Sequence, residues 1–242
     1  MHSYEALALG YDLLMDGVDY DEWAAYLLTF MQGAKTCADV ACGTGAITLR
    51  LAKAGLELTG VDASEAMLAI ASERIAKERA NAQCVRQDMR ELSLHRPANV
   101  VNCANDGVNY LTGDSDAGRF FQSAYRALTP GGLLLFDVST PYKFEHVLGS
   151  NTFAGDGEDC AYIWQNEFEN GLCEMWLTLF YRQADGRYER LDEEHLQRAY
   201  SMDELEHELI EAGFLDIGFY AFLKRSKASE RDERWQIAAR RG

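Results

Sequence analysis

The fold is decided by ten residues, TCADVACGTG, which run from Thr36 to Gly45. Residues 36–41 are mostly apolar and precede a glycine-rich turn, so they predict a buried strand. A helical pattern begins directly after the turn, at residue 46. Strand, glycine turn and helix in this order form the unit with which α/β sheets bind nucleotides at the carboxyl ends of their strands. Gly43 and Gly45 would let the backbone approach a ligand closely, because a Cβ at either position would collide with it.

The same alternation of strand and helix patterns continues to residue 138. Strands are predicted at residues 36–41, 56–62, 82–87, 99–104 and 133–138, and helices at 46–54, 65–79 and 116–128. This order is typical of a parallel sheet with helices on both faces. Two further β-like runs, 214–223 and 234–239, end the chain. The predicted fold class is therefore α/β with a doubly wound, Rossmann-like core comprising residues 34–150 and 201–242.

Two additions to this core are predicted. Ahead of it, Tyr4, Leu7, Tyr11 and Leu14 follow the spacing of an amphipathic helix, and a second helix is expected at 20–31. Residues 1–33 are therefore predicted to form a helical lid.

The second addition is an insertion at residues 151–200. A short helix at 142–148 precedes three strand-like runs at 160–169, 172–182 and 187–200, separated by Asn-Gly and Asp-Gly turns. We expect a three-stranded antiparallel sheet that caps the substrate, with a middle strand buried on both faces. After it, Ser201 and Glu204 are spaced as a capping box, and Gly213 closes the helix that they begin.

Charge and composition exclude several classes of partner. The chain has 39 acidic residues against 23 lysines and arginines, a formal charge of -16, so it would repel a nucleic acid. Residues 156–216 alone hold 17 acidic and four basic residues. No apolar run reaches the roughly 20 residues of a membrane span, and the first residues lack a secretory pattern, so we expect a cytoplasmic protein without membrane contact. The six cysteines form no Cys-x-x-Cys pair, so no disulfide framework or metal site is expected.

Polar residues end the first three predicted strands. Asp39 lies four residues before the first glycine, where an acid suits a ligand with a positive group better than a pyrophosphate. Asp62 could accept two hydrogen bonds from ribose hydroxyls, and Asp88 could meet the amino group of an adenine. A nicotinamide-binding loop would carry a third glycine at position 48, where Thr48 stands instead, so a dinucleotide is the weaker alternative.

Four motifs in order resemble those of class I S-adenosylmethionine-dependent methyltransferases. The motifs are Asp39-x-x-x-Gly43-x-Gly45, Gly60-Val61-Asp62-x-Ser64-x-x-Met67-Leu68, Gln87-Asp88-Met89 and Leu128-x-Pro130-Gly131-Gly132. The resemblance implies a seven-stranded sheet with an antiparallel last strand, and it implies S-adenosylmethionine as the cofactor. The residues that it places around this cofactor are Asp39, Ala41, Cys42, Gly43, Gly45, Asp62, Ala63, Met67, Gln87, Asp88, Met89 and Ala104. Tyr4 and Tyr11 would also bind the cofactor by closing over it, because their ring faces attract a sulfonium by cation–π contact.

The resemblance also implies a role for several of these side chains. Asp62 would hold the ribose, and Met67 and Met89 would flank the adenine, whose amino group Asp88 would bind. Asp39 would orient the sulfonium or amino end of the methionine moiety.

More narrowly, the chain resembles a bacterial small-molecule branch that includes relatives of amine and amino-sugar N-methyltransferases. Tyr4-x-x-x-Ala8-x-x-Tyr11-Asp12 and Phe136-Asp137-Val138-x-x-Pro141-Tyr142 carry this likeness, whereas the Asn-Pro-Pro-Tyr type signature of base and glutamine N-methyltransferases is absent. His195 and Tyr110 are the candidate catalytic residues, with His195 as a general base. Candidates for binding the methyl acceptor are Asn109, Tyr110, Tyr142, Trp164 and Arg198.

The sequence thus predicts a methyltransferase that acts on a nucleophilic nitrogen or oxygen of a small molecule by in-line displacement. We expect a monomer or a homodimer. Because the acidic stretch would attract cations, an amine acceptor is favoured over a carboxylate, although an inward Arg198 would reverse that preference. The alternatives are a nicotinamide-dependent oxidoreductase, a non-catalytic protein that binds S-adenosylmethionine, and an RNA or protein methyltransferase.

Overall fold

The computed structural model of the chain describes residue 15, residues 17–157 and residues 159–242. Its core alternates strands and helices: α1 Tyr20–Leu28, β1 Thr36–Val40, α2 Ala46–Lys53, β2 Glu57–Asp62, α3 Glu65–Glu78, β3 Ala82–Arg86, β4 Ala98–Cys103, α4 Asp116–Ala127 and β5 Leu128–Ser139. Short 3₁₀ helices lie at Met89–Glu91 and Gly107–Tyr110. The predicted α/β core is confirmed, and from β1 to β5 the element ends lie within one residue of the predicted ones, except that β5 begins at Leu128 and not at residue 133.

After β5 comes a π-helical segment, Lys143–Leu148, and then β6 Thr152–Asp156, β7 Cys160–Glu169, β8 Leu172–Arg182 and β9 Tyr188–Arg198. The chain closes with α5 Met202–Glu211, β10 Phe214–Ala221 and β11 Arg234–Arg241. At the start of α5 the Ser201 side chain accepts a hydrogen bond from the Glu204 N–H, and the Glu204 carboxylate accepts one from the Ser201 N–H, so the predicted capping box is present.

The large sheet has seven strands in the order β10-β11-β5-β4-β1-β2-β3. Strands β1 to β5 are parallel to one another, and β11 runs antiparallel to both of its neighbours, β5 and β10. This is the predicted antiparallel last strand. Because the order reverses between β1 and β4, a crevice opens at their carboxyl ends, where open α/β sheets bind ligands.

The small sheet is antiparallel and has four strands, in the order β6-β7-β8-β9, so the prediction of three was wrong. Strand β6 lies in a segment whose glycine and polar residues resemble a loop. Gly155 pairs with Tyr162 across the ladder, and a Cβ on Gly155 would lie 2.3 Å from that ring. The glycine therefore makes room for a cross-strand aromatic ring, which a pattern of turn residues does not reveal.

The prediction that β8 is buried on both faces was also wrong. Cys173, Met175, Leu177 and Leu179 are buried, whereas Trp176 and Phe180 on the opposite face are only half-buried. Among the described residues, the buried face of the small sheet packs against the π-helical segment, where Phe144 and Leu148 meet Cys173 and Met175.

The predicted lid falls largely outside the described residues, since residues 1–14 and 16 are not among them; Tyr4 and Tyr11 belong to that stretch. The second predicted helix corresponds to α1, which buries Trp23, Ala24, Tyr26 and Leu27. Within the described part of the chain, no helix is both long and apolar enough to cross a membrane.

Candidate functional site

A cavity of about 420 Å³ opens at the carboxyl ends of β1, β2, β3 and β4. This volume falls within the usual range of small-molecule and cofactor sites. Eleven of the predicted cofactor residues line it: Asp39, Ala41, Cys42, Gly43, Asp62, Ala63, Met67, Gln87, Asp88, Met89 and Ala104. The predicted residues therefore do come together, although they are spread over 66 positions of the sequence.

The two glycines of the first loop serve different purposes. Gly43 has a φ of +54°, and a Cβ built on it would meet no protein atom within 4 Å, so its free side faces the cavity. Gly45 has a φ of +77° and does not line the cavity. A Cβ there would lie 3.0 Å from the Cβ of Ala71, so this glycine allows the loop to pack against α3. The prediction that a Cβ on Gly45 would collide with a ligand is therefore corrected.

Asp39 lies at the end of β1 and is buried. Its carboxylate accepts hydrogen bonds from Thr48 Oγ1 at 2.5 Å and from Asn102 Nδ2 at 2.7 Å. Burial raises the pKa of Asp39 to about 6, and these two hydrogen bonds oppose the rise. Thr48, which occupies the place of a third glycine, thus supports the acid on the neighbouring strand. Near neutral pH the cavity floor carries a buried negative charge.

Asp62 ties the glycine loop to the end of β2. The Gly43 N–H donates to Asp62 Oδ2 at 2.8 Å, and the Ser64 N–H donates to Asp62 Oδ1 at 2.9 Å. Burial raises the pKa of Asp62, and these backbone donors oppose the rise. Each carboxylate oxygen has a second lone pair, so the group can still accept hydrogen bonds from a ligand.

The end of β3 is held by local hydrogen bonds. Asp88 accepts a hydrogen bond from the Arg90 N–H and pairs with its guanidinium at 2.5 Å, which lowers the pKa of Asp88. The amide of Gln87 exchanges two hydrogen bonds of 2.9 Å with the backbone of Ser93. Gln87 therefore lines the cavity, while its amide fixes the backbone at Ser93. From its position at a strand end, the sequence could not distinguish this structural role from ligand binding.

Tyr110, on the 3₁₀ helix after β4, also lines the cavity. Its hydroxyl lies 3.5 Å from Nδ1 of His195, and the two rings meet edge to face with centroids 5.9 Å apart. His195 projects from β9 and is 9% exposed. Burial lowers the pKa of His195, and the nearby Glu193 opposes this effect. The two candidate catalytic residues are therefore neighbours, although only Tyr110 lines the cavity, and burial favours the neutral form of the imidazole.

Three residues of β9 share the buried face of the small sheet. Glu193 is 6% exposed and Gln197 is 5% exposed, and His195 lies between them. Glu193 and His195 therefore lie on the same buried face as electrostatic neighbours, and His195 contacts Tyr110 of the cavity wall. Glu193 was missed by sequence reasoning, although its even spacing with His195 on a strand would have placed both on one face.

Arg198 lies on the other side of β9, as the alternation along the strand predicts. Its guanidinium pairs with Asp114 at 3.3 Å and with Glu204 at 3.2 Å, and it does not line the cavity. The anticipated inward guanidinium is therefore absent from this position in the described structure. The same side chain lies over the Tyr200 ring, 5.0 Å from its centroid.

Three further acceptor candidates also lie outside the cavity lining. Asn109 is fully buried, and its amide bonds to backbone groups of Ser139 and Arg198. Tyr142 packs edge to face on His146, and Trp164 packs in the small sheet beside Phe153. Asn109 and Tyr142 follow the ends of strands, where polar and aromatic residues often have structural roles. Their position in the sequence could not distinguish such a role from binding of the acceptor.

Sequence reasoning did not select the other residues that line the cavity, although Ser64 lies within the second motif. They come from α1, β1, the glycine loop, the helix after it, the segments after β2, β3 and β4, and the start of α4: Tyr20, Val40, Thr44, Ala46, Ile47, Ser64, Arg90, Asn105, Gly107, Leu111, Thr112 and Asp116. Tyr20 and Asp116 are far from the motifs in sequence, and only the packing of their helices brings them to the cavity.

Comparison with known proteins gives consistent matches. Residues 37–132 match the family model described as a methyltransferase domain. The chain is 37% identical over 247 residues to a Geobacillus sp. (strain WCH70) protein named "Putative methyltransferase", covering 99% of this chain and 100% of that protein. Among solved structures, an S-adenosylmethionine-dependent methyltransferase from Clostridium acetobutylicum ATCC 824 superposes with a TM-score of 0.89, at 29% identity and with 99% of each chain covered.

A more distant relative has a named acceptor. It is the dTDP-3-amino-3,6-dideoxy-alpha-D-glucopyranose N,N-dimethyltransferase of Streptomyces fradiae, 30% identical over 133 residues. The match covers 52% of this chain and 51% of that protein.

Proposed function

We propose that this chain, which belongs to the S-adenosylmethionine-dependent methyltransferases, methylates the nitrogen of a small-molecule amine. The cofactor supplies a methyl group on a positively charged sulfur, an activated leaving group. The protein therefore has to align donor and acceptor, exclude water and take a proton from the acceptor. The nicotinamide alternative predicted for the glycine loop does not hold for a member of this family.

Two features of the cavity lining support S-adenosylmethionine as its ligand. The open side of Gly43 gives backbone access, and Asp62 presents a carboxylate held in place by two N–H groups. We assign the ribose hydroxyls to Asp62 and the faces of the adenine to Met67 and Met89. Asp88 would bind the adenine amino group.

The buried Asp39 is the partner we assign to the positively charged end of the methionine moiety. Its carboxylate is fixed by Thr48 and Asn102, so it would meet that charge without reorganisation. Buried charges are retained when they are paired, and a cationic ligand would supply the pairing charge.

The amine assignment is carried by one observation: Tyr110 of the cavity wall contacts His195, which has the buried Glu193 as an electrostatic neighbour. An amine arrives mainly as an ammonium ion and must lose a proton before its lone pair can attack. His195 does not line the cavity, so it would accept that proton through Tyr110. Glu193 would favour the cationic form of the acceptor on entry.

Charge around the small sheet supports the same conclusion. Residues 156–216 carry a large acidic excess, and three of their four basic residues, Arg187, Arg190 and Arg198, are already in ion pairs. The N-methyltransferase of an amino sugar among the partial relatives is consistent with an amine acceptor. The field of this region should raise the local concentration of cations.

The test is a methyl-transfer screen with matched acceptors, in which each amine is paired with its hydroxyl and carboxylate analogues. S-adenosylhomocysteine formation is the readout. We expect turnover with amines and a kcat/KM that falls as salt rises, since salt screens charges beyond about 8 Å. Preferred turnover of a hydroxyl or carboxylate analogue, of RNA or of a protein would contradict the proposal.

Within the same screen, His195→Gln should lower kcat by about 100-fold, the low end of the usual contribution of a general base. His207→Gln is the matched control, because His207 is exposed on α5 and should leave turnover unchanged. Equal activity of both variants would show that His195 does not take the proton.

A further inference from the structure

Asn109 is a fully buried amide at the junction of three structural elements. Its Nδ2 donates to the carbonyl oxygen of Arg198 on β9 at 2.8 Å and to that of Ser139 on β5 at 3.1 Å. Its Oδ1 accepts a hydrogen bond from the Ser139 N–H at 2.9 Å. One side chain thus joins the segment after β4 to the large sheet and to the small sheet.

The segment that Asn109 fastens is part of the cavity wall. Ala104, Asn105, Gly107 and Tyr110 all line the cavity, whereas Asn109 points away from it. Arg198 lies three residues after His195 on β9. The bond from Asn109 to the Arg198 carbonyl therefore holds the strand of His195 against the segment of Tyr110.

The other end of this segment is held by charge. The N–H groups of Asn105 and Asp106 donate to the Asp137 carboxylate at 2.8 and 3.2 Å, and the Arg234 guanidinium binds both Asp106 and Asp137. Asn105 and Asp106 have φ values of +65° and +62°, a left-handed conformation that Asn and Asp adopt more readily than other non-glycine residues. The surrounding bonds thus hold this turn in place.

We infer that Asn109 is a positioning residue for methyl transfer, because its amide fixes the Tyr110–His195 pair relative to the cavity that takes the methyl donor. The inference rests on the role proposed for that pair. The cavity for the methyl donor belongs to the large sheet and His195 belongs to the small sheet. Asn109 forms hydrogen bonds to a strand of each sheet. A misplacement of about 1 Å between reacting groups costs about 100-fold in rate.

The experiment compares two buried amides. Asn109→Leu removes the three hydrogen bonds at similar volume. Gln236→Met is the matched control, because Gln236 is also fully buried and its amide donates to the carbonyls of Phe136 at 2.9 Å and Ile237 at 3.3 Å, neither of which belongs to the segment after β4. Both variants are measured for unfolding, for S-adenosylhomocysteine affinity by calorimetry, and for kcat and KM with the acceptor that the screen finds.

We expect Asn109→Leu to lower kcat by about 100-fold while changing the S-adenosylhomocysteine Kd by less than about threefold. Gln236→Met should leave kcat within about twofold of the wild type, as expected for a change that affects stability alone. A kcat for Asn109→Leu that matches the control at equal folded fraction would overturn the inference.

A second readout needs no acceptor. The pKa of His195 is followed by NMR in the ligand-free protein and assigned with His195→Gln. In Asn109→Leu the burial that lowers this pKa should weaken, so the pKa should rise toward its ordinary value, whereas Gln236→Met should not move it. If the amine proposal fails but the His195 pKa rises in Asn109→Leu, the positioning role of Asn109 is still supported. An unchanged His195 pKa in this variant contradicts that role, whatever the acceptor is.

If Asn109→Leu does not fold, Asn109→Asp serves instead. It keeps an oxygen for the Ser139 N–H and loses the donor to the Arg198 carbonyl. The same loss of kcat and the same movement of the His195 pKa are expected from it, and their absence would count against the inference equally.

Discussion

The cofactor cavity and the inner face of the small sheet are built in different ways. In the cavity, Asp39 and Asp62 end neighbouring parallel strands and are held by nearby donors, so the site follows from the order of strands. On the small sheet, His195 is placed by antiparallel register opposite Met175 and meets Tyr110 from a different sheet. The cavity can therefore be predicted from local sequence motifs, whereas the inner face of the small sheet depends on how the two sheets pack.

The largest expected effect breaks the cofactor side alone. Gly43→Val should weaken S-adenosylhomocysteine binding by about 100-fold, or about 3 kcal/mol, because the side chain would fill open cavity space. Gly131→Val is the matched control: Gly131 has a φ of +72° and equally open surroundings but lies outside the cavity. Calorimetry should show normal affinity for the control. Similar losses in both variants would mean that backbone strain, not occupation of the cavity, causes the effect.

A smaller effect is expected on the pH dependence of S-adenosylhomocysteine binding, which tests the charge of Asp39 in the cavity. Because the pKa of Asp39 is about 6, its carboxyl is mostly neutral at pH 5, and S-adenosylhomocysteine should then bind about tenfold more weakly than at pH 7. Asp39→Asn should remove this pH dependence, and Asp62→Asn should retain it. A pH-independent affinity in the wild type would show that Asp39 does not meet the positive end of the ligand.

The same ionisation has an opposite consequence for the ligand-free protein. The folded state holds the Asp39 proton more tightly than the unfolded chain, whose carboxyl has its ordinary pKa of 3.8. The Asp39 contribution to the free energy of unfolding should therefore fall as pH rises from about 4 to about 6. Chemical denaturation of wild type and Asp39→Asn across this range measures it.

The smallest effect concerns the acceptor side. Arg198→Ala should change kcat/KM by less than about twofold for acceptors of either charge, because the guanidinium pairs with Asp114 and Glu204 at the surface. The backbone carbonyl that Asn109 binds is unaltered by this substitution. Selective loss of an anionic acceptor in Arg198→Ala would contradict the paired geometry and the amine proposal together.

How far the sequence leads depends on whether a residue acts through its neighbours in the chain. The capping box at Ser201 and the strand-end acids Asp39 and Asp62 lie where local patterns place them. The edge strand β6 was missed because its hydrogen bonds are made only with β7, and its glycine serves a ring in that strand. Gly45 shows the same limit on a smaller scale, since its constraint comes from Ala71 on another helix.

By itself the sequence determined the α/β core, the cofactor class and half of the residues that line the cavity, because successive strand ends of a parallel sheet meet at one edge. Only the tertiary structure decided which polar residues of the acceptor side face inward. In the folded chain Glu193 and His195 are buried on one face of β9, and Arg198 pairs with Asp114 on the other. Asn109 joins the two sheets by hydrogen bonds. These choices depend on which face of the small sheet packs against the core, and that packing involves residues far apart in the chain.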